Sequence, residues 1–195
     1  MLLLDQGDTL TRCLTIATMS RVLLLTGPPG SGKTSTARSI AADSPLGAHV
    51  ESDRFFHFVS GGYIEPWLPE SHAQNMVVMQ AVAAAASSYA DGGYATIVDG
   101  IISPRWFMGP LRDALAIHGH SAAYAVLRPT LSTCIARTTA RSPAELSNAQ
   151  VIARLYEDFV DLGEIEGHVI DSENLSPDQV ANAVTDRFRS GELNL

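Results

Sequence analysis

Of the chain's 13 basic residues only one, Lys33, is a lysine; the rest are arginines. Cysteine is equally scarce. Cys13 and Cys134 are far apart and match no metal-ligand spacing, which excludes a zinc module and a disulfide scaffold and makes a reducing cytoplasm the expected setting. No apolar run reaches the roughly 18 residues that a membrane-spanning helix needs. The opening residues lack the basic start and clean apolar centre of a secretion signal. Charged residues make up 17% of the chain, with a net charge of -8. That balance argues against a broad grip on nucleic acid, which requires a basic face, although a local arginine cluster would suffice for a single nucleic-acid end. Repeats, low-complexity tracts and inter-domain linkers are also lacking.

What remains is a chain of 195 residues, 46% hydrophobic, enough for one globular core. Residues 20–195 read as one domain. Residues 1–19 read as an extension, poorly ordered or loosely docked, or as a stretch preceding a translation start at Met19. Apolar runs alternate with longer helical patterns, the signature of a mostly parallel sheet with helices on both faces. Strands are expected at 21–25, 49–52, 96–99, 122–127 and 168–170, and a helix over 33–42. Three helix starts carry a serine followed three residues later by glutamine, the pattern of reciprocal N-terminal capping: Ser71/Gln74, Ser147/Gln150 and Ser176/Gln179. Ser103-Pro104 reads as a fourth start, and Gly92-Gly93 as the stop of the helix that follows Ser71.

The lone lysine sits in Gly27-Pro28-Pro29-Gly30-Ser31-Gly32-Lys33-Thr34, with Ser35 next, between an apolar strand and a helix. This is the Walker A pattern in the setting it requires. Glycines allow the backbone N–H groups to wrap around phosphates at a helix N-terminus. Lysine places a compact charge between phosphates where a planar guanidinium is too wide. Lys33 is expected to bridge the β- and γ-phosphates of ATP, and the Thr34 hydroxyl to ligate Mg²⁺.

Two further carboxylates fall at strand ends. Asp53, just beyond the second strand, is placed to accept a proton from an acceptor hydroxyl; Glu51 is expected to face away by strand alternation. Asp99, ending the third strand, is expected to hold the metal with Thr34, and Gly100 to let the backbone pass close to a ligand. Arg137 and Arg141 lie four residues apart, on one helix face, in a lid expected around 137–148, where they offset charge on the transferring phosphoryl group. Arg154 is a further candidate of that kind. The segment 55–70 is rich in aromatics. It reads as an acceptor pocket involving Arg54, Tyr63, Trp67 and, from the next loop, Arg105, or else as a satellite apolar cluster.

Taken together, GPPGSGKT, Ser52-Asp53-Arg54, the lid arginines and His168-Val-Ile-Asp171 leading to Ser176-Pro177 resemble the P-loop kinases grouped with chloramphenicol phosphotransferase, zeta toxins, gluconate kinase and shikimate kinase. The resemblance implies a three-layer α/β/α domain with a five-stranded parallel sheet. It also implies an ATP- and Mg²⁺-dependent kinase acting on a small-molecule hydroxyl, with Asp53 as base or hydroxyl ligand. Nucleic acid and membrane are not expected partners, and a monomer or small homo-oligomer is. A polynucleotide 5′-hydroxyl kinase is the alternative within enzymes, and a regulatory module that binds ATP with little or no turnover the alternative outside them. Lys33→Ala is expected to lose nucleotide binding and turnover together. Normal ATP affinity in that variant, measured by calorimetry, would refute the phosphate-loop reading.

Overall fold

The computed structural model of the protein describes residues 21–140 and 148–195. The expected extension at 1–19 and most of the expected lid, including Arg141 and Ser147, lie outside them. Five parallel strands form one sheet: β1 Arg21–Thr26, β2 Gly47–Glu51, β3 Ala95–Gly100, β4 Ser121–Leu127 and β5 Val169–Ile170, in the spatial order β2-β3-β1-β4-β5. Six α-helices accompany them: α1 Lys33–Ala42, α2 His72–Asp91, α3 Met108–Ile117, α4 Leu131–Thr139, α5 Ala149–Glu157 and α6 Pro177–Ser190.

Alternation along β1 builds both layers. Val22 and Leu24 face a core made with Val78, Met79 and Val82 of α2 and Leu111 and Leu115 of α3. Leu23 and Leu25 face the opposite core, with Ala37 and Ala41 of α1 and Val180 and Val184 of α6. A strand buried on both faces must be apolar throughout, which is why Val22–Leu25 reads as an unbroken run. Burying each such side chain contributes roughly 1.5–3 kcal/mol.

Helix boundaries match the expected chemistry unevenly. Ser176 and Gln179 do form the reciprocal cap of α6, with Pro177 at its first position. Gly93, at φ 84°, follows the end of α2 as expected. Ser71, however, caps nothing. Its hydroxyl donates to the Pro66 and Leu68 carbonyls, while Gln74 brackets Ile64 from N–H to carbonyl at 2.9 and 2.7 Å. These side chains tie down the preceding loop instead of closing their own helix. Asn148 caps α5, accepting from the N–H groups of Gln150 and Val151. Ser103-Pro104 opens a turn rather than a helix: the Ser103 carbonyl collects the N–H groups of Trp106, Phe107 and Met108 before α3 begins.

One buried hydroxyl joins β1 to the turn after β3. Thr26 Oγ1 donates to the Gly100 carbonyl at 3.0 Å and accepts from the Ile102 N–H at 2.9 Å. Tyr124 Oη donates to the Ile102 carbonyl at 2.7 Å. Thr26→Val keeps the shape and removes the hydroxyl, stranding a buried N–H. It is expected to cost about 1–3 kcal/mol, read as a lower denaturant midpoint with an unchanged slope. An unaltered midpoint would contradict the role given to this clamp.

Candidate active site

The loop Gly27–Gly32 leaves β1 where the chain crosses from one side of the sheet to the other, the place where open α/β sheets bind ligands. Gly30 is in the left-handed region at φ 82°, and a Cβ there would sit 2.3 Å from the Cys134 carbonyl and 2.6 Å from Thr138 Oγ1. Helix α4 is therefore packed against the outside of the loop, fixing its curvature. Lys33 is buried, 8% exposed, and has no hydrogen-bonded or ion-paired partner among the described residues. Ser31 Oγ is buried and unpartnered as well. A buried cation and a buried hydroxyl left without partners point to an anion that would supply them.

Asp99 lies beside this loop because β3 pairs with β1 in the register Leu25↔Asp99. The carboxylate is 2% exposed. Its Oδ2 accepts from Thr34 Oγ1 at 2.6 Å, and its Oδ1 from His49 Nε2 at 2.5 Å. A hydroxyl and a carboxylate in contact supply the hard oxygen donors that Mg²⁺ prefers. Among the described residues there is no cluster of three or more His, Cys, Asp or Glu side chains able to cage an ion. Such a pair suits a cation that draws its remaining ligands from phosphates and water.

After Glu51 the chain tightens into a 3₁₀ turn, Ser52–Phe58. Glu51, the last residue of β2, and Asp53 both line the same cleft, contrary to the expectation that Glu51 faces away. Glu51 is occupied by two arginines, Arg38 at 3.3 Å and Arg54. Asp53 keeps solvent contact through the cleft, yet protein atoms crowd its carboxylate, and that desolvation is the leading reason its pKa is raised. Lys33 opposes the rise, Asp99 and Glu51 reinforce it, and the nearby Ile101 N–H favours the anion. Gly100 serves this packing: a Cβ there would fall 1.9 Å from Ser52 Oγ and 3.1 Å from Asp53 Oδ1. The close approach is thus made by protein, where a ligand was expected.

The cleft encloses about 1390 Å³ and runs from Thr34 and Asp53 past Phe56, Trp106 and Phe107 to Arg154 and Asp158. Tyr63, Trp67 and Arg105 are among its lining residues. Tyr63 Oη donates to Glu65 at 3.1 Å, Arg54 is held by Glu51, and Arg105 has no side-chain partner among the described residues. Arg137 is in the last turn of α4, exposed and outside the cleft lining, on the helix that buttresses Gly30. Its expected partner Arg141 lies outside the described residues. Arg154 lines the cleft from α5. Cys134 is buried against the loop, and burial pushes its thiol up to about 11, as befits a packing residue.

Sequence reasoning missed His49 and Arg38. The pattern that finds His49 is the alternation of β2: Ala48 and Val50 are buried, leaving His49 and Glu51 together on the face that α1 covers.

Residues 22–162 match the AAA_33 family, described as AAA domain. No curated protein matches the chain. Among solved structures, the chain is similar to a gluconokinase from Sinorhizobium meliloti 1021, at 16% identity and TM-score 0.63, over 88% of this chain and 93% of that one. It is similar to the Mycobacterium tuberculosis APS kinase in complex with AMPPNP and APS, at 17% identity and TM-score 0.62, over 87% and 97%. The Deinococcus radiodurans tunicamycin resistance protein gives 18% and 0.62, over 86% and 94%. At such identities the shared property is the fold.

Gly100→Ala is expected to destabilise the protein by about 1–3 kcal/mol, because Ser52 must move to admit the methyl group. Adding Ser52→Ala removes the nearest atom and is expected to restore part of the loss. Full stability of the single variant in denaturant titration would show that the turn is looser than described.

Proposed function

We propose that this chain, which belongs to the AAA_33 family of AAA domains, is an ATP- and Mg²⁺-dependent kinase that phosphorylates a hydroxyl of a small molecule held in the cleft. The observation that carries this reading is that Asp53 and Thr34 both line that cleft, with Lys33, unpaired among the described residues, next to Thr34. A protein that only binds nucleotide has no use for a carboxylate facing an acceptor cavity. The APS kinase neighbour, which holds AMPPNP and APS together, supports a fold with room for donor and acceptor at once.

In this reading the loop Gly27–Gly32 and Lys33 hold the triphosphate, and Lys33 offsets charge that gathers on the γ-phosphoryl oxygens. Thr34 and Asp99 would hold Mg²⁺, whose chemistry is to neutralise charge across the β- and γ-phosphates. The acceptor oxygen bonds to the γ-phosphorus while the bridging P–O bond breaks toward ADP, and Asp53 takes the hydroxyl proton. The raised pKa of Asp53 makes it a better proton acceptor than an ordinary surface carboxylate. Aromatic side chains at Phe56, Trp106 and Phe107 line the cleft. Arg137 and Arg141 are proposed to complete the charge ring from the α4 side.

Transfer of γ-phosphate from labelled ATP to a panel of sugars, antibiotics and nucleosides tests the activity. Against an acceptor found there, Asp53→Asn is expected to lower kcat by about 10²-fold or more and to leave ATP affinity within a few-fold, since a base acts on the transition state. Unchanged turnover in Asp53→Asn would end the assignment of Asp53.

A further inference from the structure

We propose that His49 is a positioning residue for the metal site: its imidazole fixes the Asp99 carboxylate so that the second oxygen stays on the Thr34 hydroxyl. This rests on the reading of Thr34 and Asp99 as the pair that holds Mg²⁺.

The geometry is specific. A carboxylate can only accept, so His49 Nε2 carries the hydrogen of the 2.5 Å contact with Asp99 Oδ1. Oδ2 is engaged 2.6 Å from Thr34 Oγ1. The two bonds come from opposite directions: Thr34 from the first turn of α1, and His49 from the neighbouring strand, two positions before the residue registered with Asp99. With both oxygens bonded the carboxylate plane cannot turn. With Oδ1 released, rotation about the Cβ–Cγ bond would carry Oδ2 away from Thr34 at little cost.

Burial makes the arrangement consequential. Asp99 is 2% exposed and the His49 side chain 12%, so bulk water is not at hand to replace the imidazole donor. A buried carboxylate oxygen without a donor is destabilised, and its neighbours rearrange to supply one. The residues flanking His49 on its strand, Ala48 and Val50, are apolar and turned to the other face, and Glu51, the next residue on its own face, is taken up by Arg38 and Arg54. Partners of this kind, once removed, weaken metal affinity by roughly 10–100-fold in sites where they orient a ligand.

Two variants of similar bulk separate the donor from the packing. His49→Phe keeps a ring and has no N–H toward Asp99, whereas His49→Gln keeps an N–H donor. Mn²⁺ binding to the ADP-loaded full chain, read by electron paramagnetic resonance, is compared with ADP binding in EDTA, read by calorimetry. His49→Phe is expected to weaken Mn²⁺ binding at least about tenfold, and to weaken metal-free ADP binding far less; His49→Gln is expected to recover much of the difference. Wild-type Mn²⁺ affinity in His49→Phe would overturn the proposal. So would equal losses with and without metal, or a His49→Gln variant no better than His49→Phe. Should His49→Phe fail to fold, His49→Ala takes its place in the same comparison. A wild-type protein that binds ADP with no gain from Mn²⁺ ends the metal reading of Thr34 and Asp99 itself, and a gain retained in full by His49→Phe ends the role of His49 alone.

Discussion

A lysine packed into the phosphate loop, with no hydrogen-bonded or ion-paired protein partner among the described residues, is the constraint from which the rest of this site follows. Desolvating a lysine costs several kcal/mol unless an anion comes close. At Lys33 the described residues supply none within hydrogen-bonding distance. The chain holds the charge there by rigid means: β1 is buried along its length, α4 braces Gly30 from outside, and α1 starts at Lys33 itself. A phosphate entering the loop would meet a cation and backbone donors already oriented, so little ordering remains to be done on binding.

The end of β3 joins this donor half to the acceptor half. Asp99 reaches back to Thr34, while the next residue, Gly100, packs against Ser52 and Asp53. Thr26 and Tyr124 hold the intervening turn from beneath. A displacement at Gly100 therefore moves its chain neighbour Asp99 and presses on Ser52 and Asp53. The two carboxylates are coupled by covalent geometry and close packing, without any need for a mobile element.

How much of this the sequence discloses depends on the range of the interactions. The strands, α1 and the phosphate loop were legible because each is written in a contiguous stretch: an apolar run, then glycines, lysine and threonine. Asp53 and Asp99 were legible as candidates since strand ends gather at one edge of a parallel sheet. His49 was not, because its partner lies fifty residues away and only the β2–β3 register brings them together. Glu51 was misjudged because it stands two residues before Asp53, a spacing that strand alternation puts on one face. Ser71 and Gln74 fit the capping pattern but serve the loop, since Pro66 and Ile64 offer them unpaired backbone groups that the helix start competes for.

The same contrast explains why donor chemistry is fixed more tightly than acceptor chemistry. Phosphate recognition uses backbone N–H groups and one cation, which any member of a fold can present in the same way. The acceptor cavity is built from a long segment, residues 55–70, pinned by side chains of α2 through Gln74 and Asn75. Its walls combine aromatics with Arg105 and Arg154 on one side of the charge balance and Glu157 and Asp158 on the other. An acceptor that satisfies both signs must carry polar groups on more than one edge. An apolar ring alone would make none of the charge-assisted contacts that these side chains offer.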